Sequence, residues 1–140
     1  MTKTRVLFVC NHNSARSQMA EAFLNNLGSE KFEAESAGLE PGKLNPNVVE
    51  VMKEEGIDIS QNKTKDVFEF YKQAKRFDYV ITVCDEASAE ACPFFPSQRG
   101  KTHWSFKDPS KFTGTHEEIL TQIRPVRDAI KKQIQDFISL

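Results

Sequence analysis

Apolar residues along this chain fall into two kinds of run. Val6-Leu7-Phe8-Val9 and Tyr79-Val80-Ile81-Thr82-Val83 are short and nearly continuous, the pattern of strands buried on both faces of a parallel sheet. Phe32 to Ser36, closed by Ala37-Gly38, and His103 to Phe106 predict two further strands. Elsewhere the spacing is helical. From Arg16 onward Met19, Ala22, Phe23 and Leu27 share one face and Gly28 supplies a stop. Asn45-Pro46 reads as a cap with proline at the first helical position; Val48, Val49 and Met52 then face inward until Gly56 ends the turn. A third helix is predicted over Asp66 to Ala74. The last helix opens at Thr115, with Glu118 completing a capping box, and carries Ile119, Ile123, Val126, Ile130, Ile134 and Phe137 on its inner face. Pro125 predicts a kink or a late start in it.

Strands alternating with helices predict an α/β fold built on a doubly wound parallel sheet. Such sheets bind ligands beyond the carboxyl ends of their strands. Cys10, Cys84 and Asp108 each follow a predicted strand, so the sheet gathers them along one edge although they are far apart in sequence. There is no repeat, low-complexity tract or Gly/Ser linker, and residues 1–140 read as one domain.

Composition changes the picture mainly by exclusion. Lys+Arg is 19 against Asp+Glu 20, a net charge of -1, which is no basic footprint for nucleic acid. No apolar run approaches the roughly 20 residues that span a bilayer. Three cysteines, Cys10, Cys84 and Cys92, with no export signal predict reduced thiols in the cytoplasm. The three histidines, His12, His103 and His116, are scattered and lack the paired spacing of a zinc site. A monomer is the default expectation.

Cys10-Asn11-His12-Asn13-Ser14-Ala15-Arg16-Ser17 lies between a buried strand and a helix. Such a junction turns backbone N–H groups into the loop and adds the positive end of the helix, which makes a cradle for a tetrahedral oxyanion. The Arg16 guanidinium closes it with a bidentate fork. The same field favours the thiolate form of Cys10, a nucleophile to which Ser17 can donate a hydrogen bond. Asn13 tolerates a left-handed backbone and can pin the loop. A buried Cys before an ordinary helix cap would not need an Arg and a Ser at this spacing.

This Cys-x5-Arg-Ser pattern resembles the low-molecular-weight tyrosine phosphatase family, and Asn13-Ser14-Ala15-Arg16-Ser17-Gln18-Met19-Ala20-Glu21 resembles more specifically the thioredoxin-coupled arsenate reductases on that fold. The similarity continues through Ser36-Ala37-Gly38, Leu44-Asn45-Pro46, Gly56-Ile57-Asp58-Ile59-Ser60 and Asp108-Pro109. It departs at His12, where glycine is common, and at Ala15, where some members carry another cysteine. The resemblance implies a three-layer sandwich, a four-stranded parallel sheet with helices on both faces. It also makes Asp108 the general acid; read alone, Asp108-Pro109 is a common turn dipeptide.

The remaining thiols acquire a role by the same resemblance. Cys10 attacks arsenate, Cys84 takes the sulfur of Cys10 into a disulfide, Cys92 takes it over by exchange, and thioredoxin reduces the final bridge. The 85–91 segment has helix-forming composition and must loosen, because bridged Cα atoms approach within about 7 Å. Phosphate or sulfate should compete as oxyanions. The resemblance further places a possible potassium ion on Asn13, Glu21, Ser36 and Asp66, whose alternative is a plain hydrogen-bond network tying the loop to the second strand. Two other functions are weighed: a phosphatase working through a phosphocysteine, which would leave Cys84 and Cys92 unused, and a non-catalytic phosphate-binding or redox-sensing module. Phe68, Phe70, Phe77 and Phe94 are expected in core or loop clusters, with Phe94-Phe95-Pro96 a candidate thioredoxin contact. Trp104 is expected in packing, and Lys131-Lys132 on a solvated helix face.

Overall fold

A computed structural model of the chain describes residues 3–83 and 92–140. Four strands form one parallel sheet in the order β2-β1-β3-β4: β1 (Thr4–Cys10), β2 (Phe32–Gly38), β3 (Tyr79–Thr82) and β4 (Gly100–His103). The described helices are α1 (Arg16–Leu27), α2 (Pro46–Lys53), α3 (Val67–Lys72) and α4 (His116–Ile138), with a 3-10 turn at Pro109–Lys111.

Strand alternation splits the core between the two faces of the sheet. Val6, Phe8, Ile81 and Val83 pack with α1, α2 and α4 in one cluster. Leu7, Val9 and Val80 pack on the other face with Val67 and Phe70 of α3, and with Phe77, Cys92 and Phe95. This is the expected three-layer sandwich. After β2 the chain returns to the far side of β1, so β1 and β3 flank the switch point where a parallel sheet opens a crevice at its carboxyl end. Cys10 is the last residue of β1.

Local signals account for most element ends. Asn45 caps α2, its side chain accepting from the Asn47 and Val48 amides. Asp66 caps α3 through the Phe68 amide, and Thr115 with Glu118 forms the capping box of α4. Gly56 has φ +75, a left-handed geometry that glycine adopts without strain.

Several expectations need correction. The fourth strand is not His103 to Phe106 but Gly100–His103. Its ladder to β3 ends at Thr82↔His103, and Trp104 beyond it turns its ring into packing with Phe8 and Phe137. On α1, Leu27 is 40% exposed while Ala20 and Leu24 are buried, because the helix packs against both the sheet and α4 and the face they share runs through Ala20 and Leu24. On α2, Val51 is buried with Val48 and Met52, whereas Val49 is only partly covered. The late start at Pro125 does not occur, because α4 starts at His116 and runs through the proline; the apolar face that includes Ile123, Ile130 and Ile134, all fully buried, outweighs one lost backbone hydrogen bond.

The α2–α4 seam also carries an ion-pair cluster. Glu54 accepts from Arg124 (Nη2–Oε2 2.9 Å) and from Arg127 (Nη1–Oε1 2.7 Å), and Arg127 donates as well to the Val51 carbonyl. Lys131 is part of the same seam, 2.8 Å from Glu55; only Lys132, paired with Asp136, lies on the solvated face.

Candidate active site

The loop from Cys10 to Arg16 is shaped from outside. The carbonyls of Cys10, Asn11, His12 and Ser14 accept from the amides of Leu39, Glu40, Gly42 and Asn45 at 3.1, 2.7, 2.9 and 2.9 Å. In a trans peptide the N–H points opposite the C=O, and no peptide here is cis. The amides of Asn11, His12, Asn13 and Ala15 therefore turn away from the 39–45 segment, toward the inside of the loop. The Asn13 amide demonstrates this, donating to Cys10 Sγ at 3.1 Å. Gly38 allows the fit: a Cβ there would stand 2.8 Å from the Asn11 oxygen and 2.9 Å from the Asn13 nitrogen.

Cys10 is 3% exposed. Its Sγ lies 2.9 Å from Ser17 Oγ. Asn13 Nδ2 donates to that same Oγ at 2.8 Å, which leaves the Ser17 proton for the sulfur. The Ser17 hydroxyl and the Asn13 amide thus converge on Sγ. Asn13 is buried and left-handed at φ 55. Its Oδ1 accepts from the Lys65 amide at 2.9 Å and from Gln18 Nε2 at 3.1 Å. The left-handed position is Asn13, not His12, so a histidine replaces the usual glycine without backbone strain. His12 is exposed, with Nδ1 2.9 Å from the Glu40 carbonyl oxygen. Ala15 is buried and precedes α1 with no side-chain cap, consistent with helix amides left open toward the loop.

Arg16 is 5% exposed and donates to the Phe106 carbonyl at 3.2 Å. Its Nη2 lies 3.7 Å from Asp108 Oδ2. Asp108 caps the 3-10 turn, accepting from the amide and hydroxyl of Ser110. Partial burial works to raise its pKa, but the two Ser110 donors and then the charges of Arg16 and Lys111 outweigh it. The carboxyl is held below the usual aspartate range.

The structure therefore brings Cys10, Arg16, Ser17 and Asp108 together. Cys84 lies outside the described residues, as does 85–91. Val83 before it donates to the Val9 carbonyl at 2.9 Å, beside the end of β1. Cys92 is 5% exposed and packs on the other face of the sheet from Cys10; its Sγ lies 3.6 Å from the Pro93 carbonyl oxygen. Phe94 is 73% exposed, while Phe95 is buried against Phe77. His103 and His116 acquire partners: Thr82 and Ser105 for the first, Glu50 for the second.

The four residues expected around a potassium ion are each engaged inside the protein. Glu21 Oε1 accepts from Ser36 Oγ at 3.1 Å and from the Lys65 ammonium at 2.9 Å. Asp66 caps α3, and Asn13 Oδ1 has the two donors given above. Among the described residues no group of three or more His, Cys, Asp and Glu is placed to hold a metal ion. Of these four residues Glu21 is the one that meets the Lys65 ammonium, while Ser36, Asn13 and Asp66 bond to other protein groups.

Sequence reasoning missed Gln18 and Lys65. Gln18 is fully buried, donates to the Asn13 carbonyl and to Lys63 O, and accepts from Asn62. A polar residue directly after Arg16-Ser17 on a helix that must pack was the available signal. Lys65 offered none, because its partners lie 44 and 52 positions away.

Residues 5–139 match the model of the low molecular weight phosphotyrosine protein phosphatase family. The chain is 42% identical over 137 residues to an arsenate reductase of Halalkalibacterium halodurans, covering 98% of this chain and 96% of that protein. Among solved structures, an arsenate reductase in the phosphate-binding state superimposes with a TM-score of 0.78 at 32% identity, covering 97% of each chain. A thioredoxin-dependent arsenate reductase of Corynebacterium glutamicum gives 0.62 at 30% identity, over 95% of this chain and 62% of that one.

Proposed function

The chain belongs to the low molecular weight phosphotyrosine protein phosphatase family, and from that premise we propose that it is an arsenate reductase recycled by thioredoxin. The observation that carries the reading is the sulfur of Cys10, on the floor of an anion cradle with Ser17 and the Asn13 amide donating to it. Full-length similarity to proteins named arsenate reductase selects arsenate as the anion.

In this reading arsenate lies against the inward amides, with Arg16 turning its fork onto the oxygens. Cys10 thiolate attacks arsenic, and an oxygen leaves with a proton from Asp108. Asp108 is ionised in the resting pair with Arg16, so it must acquire that proton as the protonated anion binds and draws Arg16 away. Cys84 thiolate then attacks Cys10 Sγ. The sulfur–sulfur bond forms, the sulfur–arsenic bond breaks, and its electron pair stays on arsenic, which leaves as arsenite. Cys92 attacks Cys84 Sγ and frees the Cys10 thiolate, leaving a Cys84–Cys92 disulfide that the thioredoxin dithiol reduces by exchange. The packing of Cys92 on the opposite face from Cys10 supports a relay in which Cys84 is the go-between. Such chemistry suits a reducing compartment such as the cytosol. No described helix is long and apolar enough to cross a membrane.

A phosphatase activity is the second reading, favoured by the family match and by Cys10, Arg16 and Asp108, which suffice for a phosphocysteine. The run after Asp108-Pro109 is Ser110-Lys111-Phe112, without the tyrosine that frames an aromatic ester in many relatives. One preparation assayed for arsenate-dependent thioredoxin oxidation and for aryl phosphate release separates the two. Arsenate-driven oxidation, lost in Cys10→Ser and weakened competitively by phosphate, is expected. Efficient ester hydrolysis without arsenate-driven oxidation would make the chain a phosphatase.

A further inference from the structure

We propose that the Lys65 ammonium is the fixed internal cation behind the anion loop, doing from within the chain what a bound potassium ion would do. Glu21 sits on α1 with a side chain only 12% exposed, and a carboxylate so placed needs a counter-charge. Lys65 Nζ supplies it at 2.9 Å, on the same Oε1 that accepts from the fully buried Ser36 of β2. The backbone of the same residue holds the loop: the Lys65 amide donates to Asn13 Oδ1, and its carbonyl accepts from the Gly38 amide at 2.8 Å. From Asn13 the path is short, through Nδ2 to Ser17 Oγ and from there to Cys10 Sγ. One residue thereby ties α1, β2 and the loop, and its charge fixes the carboxylate at the centre of that junction. Lys65 is a positioning residue; it touches neither anion nor sulfur.

The inference rests on the cradle and not on arsenate being the substrate. Its test therefore follows the rate of Cys10 alkylation by iodoacetamide and the thermal midpoint, beside turnover. Each is measured in choline, sodium and potassium chloride at equal ionic strength. The wild-type protein is expected to respond alike in all three. Lys65→Met removes the charge and keeps the stem; Cys10 alkylation in choline should slow about tenfold, the loss typical of a group that orients a functional one from behind. Potassium or sodium should restore much of that rate, and Lys65→Arg should keep it without added cation. A wild-type protein accelerated or stabilised by potassium would overturn the proposal. So would a Lys65→Met variant that matches wild type, or one whose loss neither cation nor arginine repairs. If Lys65→Met does not fold, the wild-type response and Lys65→Arg still decide. Absence of arsenate turnover with these alkylation responses intact would remove the proposed function and leave this inference standing.

Discussion

Ser17 and Asn13 do different work on one sulfur. Ser17 donates through a hydroxyl whose own lone pair is occupied by Asn13, and Asn13 donates through its amide. Ser17→Ala should leave the fold intact and lower kcat/KM by about tenfold to a hundredfold, the scale of losing one aligned donor; steady-state kinetics checks it. Asp108→Asn keeps an acceptor for the Ser110 amide, so the turn survives, but it has no proton to give. A loss in kcat of about a hundredfold to ten-thousandfold is expected, with phosphate inhibition nearly unchanged. At this scale the sequence was most readable where the chemistry is contiguous. Cys10, Arg16 and Ser17 share one strand–loop–helix junction, and their spacing was enough to place the sulfur beside the Ser17 hydroxyl. The Lys65 amide and the Glu40 carbonyl reach the same loop across long stretches of chain, and no local pattern announces a backbone contact.

Among the elements, the 38–45 segment shapes the cradle as much as the loop itself does. Gly38→Ala places a methyl group against the Asn11 and Asn13 backbone, where neither neighbour is a side chain that can swing aside. A destabilisation of about 1–3 kcal/mol is expected, together with weaker phosphate binding by titration calorimetry; unchanged phosphate affinity would separate the segment from the site. The α2–α4 seam gives a pH signature. Hydrogen bonds from Arg124 and Arg127 hold the Glu54 carboxyl at about 2, below its ordinary 4.5. A carboxyl depressed in the fold stabilises it fully above 4.5 and loses that contribution as pH falls toward about 2. Glu54→Gln should therefore melt lower than wild type at neutral pH, with the gap closing between those limits in a pH series of thermal scans. Caps and stops were legible because each rests on a single side chain, as at Asn45, Asp66 and Thr115. The register of β4 was not: Gly100-Lys101-Thr102-His103 carries no buried residue, so its pairing with β3 leaves no hydrophobic trace. The exposure of Leu27 was hidden for a related reason, since periodicity gives a face but not where the partner element ends.

For the whole molecule, parallel order β2-β1-β3-β4 gathers the ends of β1 and β3 at one crevice, and this was legible because buried strands and amphipathic helices alternate so clearly. The sheet also separates Cys10 from Cys92 by face, a division the sequence does not display because the two thiols belong to different elements. In the relay we propose, that division is the route by which oxidation passes from the cradle to the far side. The most direct measurement is a disulfide map by mass spectrometry of Cys92→Ser after arsenate exposure without reductant. A Cys10–Cys84 bridge with at most one arsenite released per protein is the expected result. Sustained thioredoxin-driven turnover by that variant, or arsenite released with no bridge at Cys10, would contradict the account.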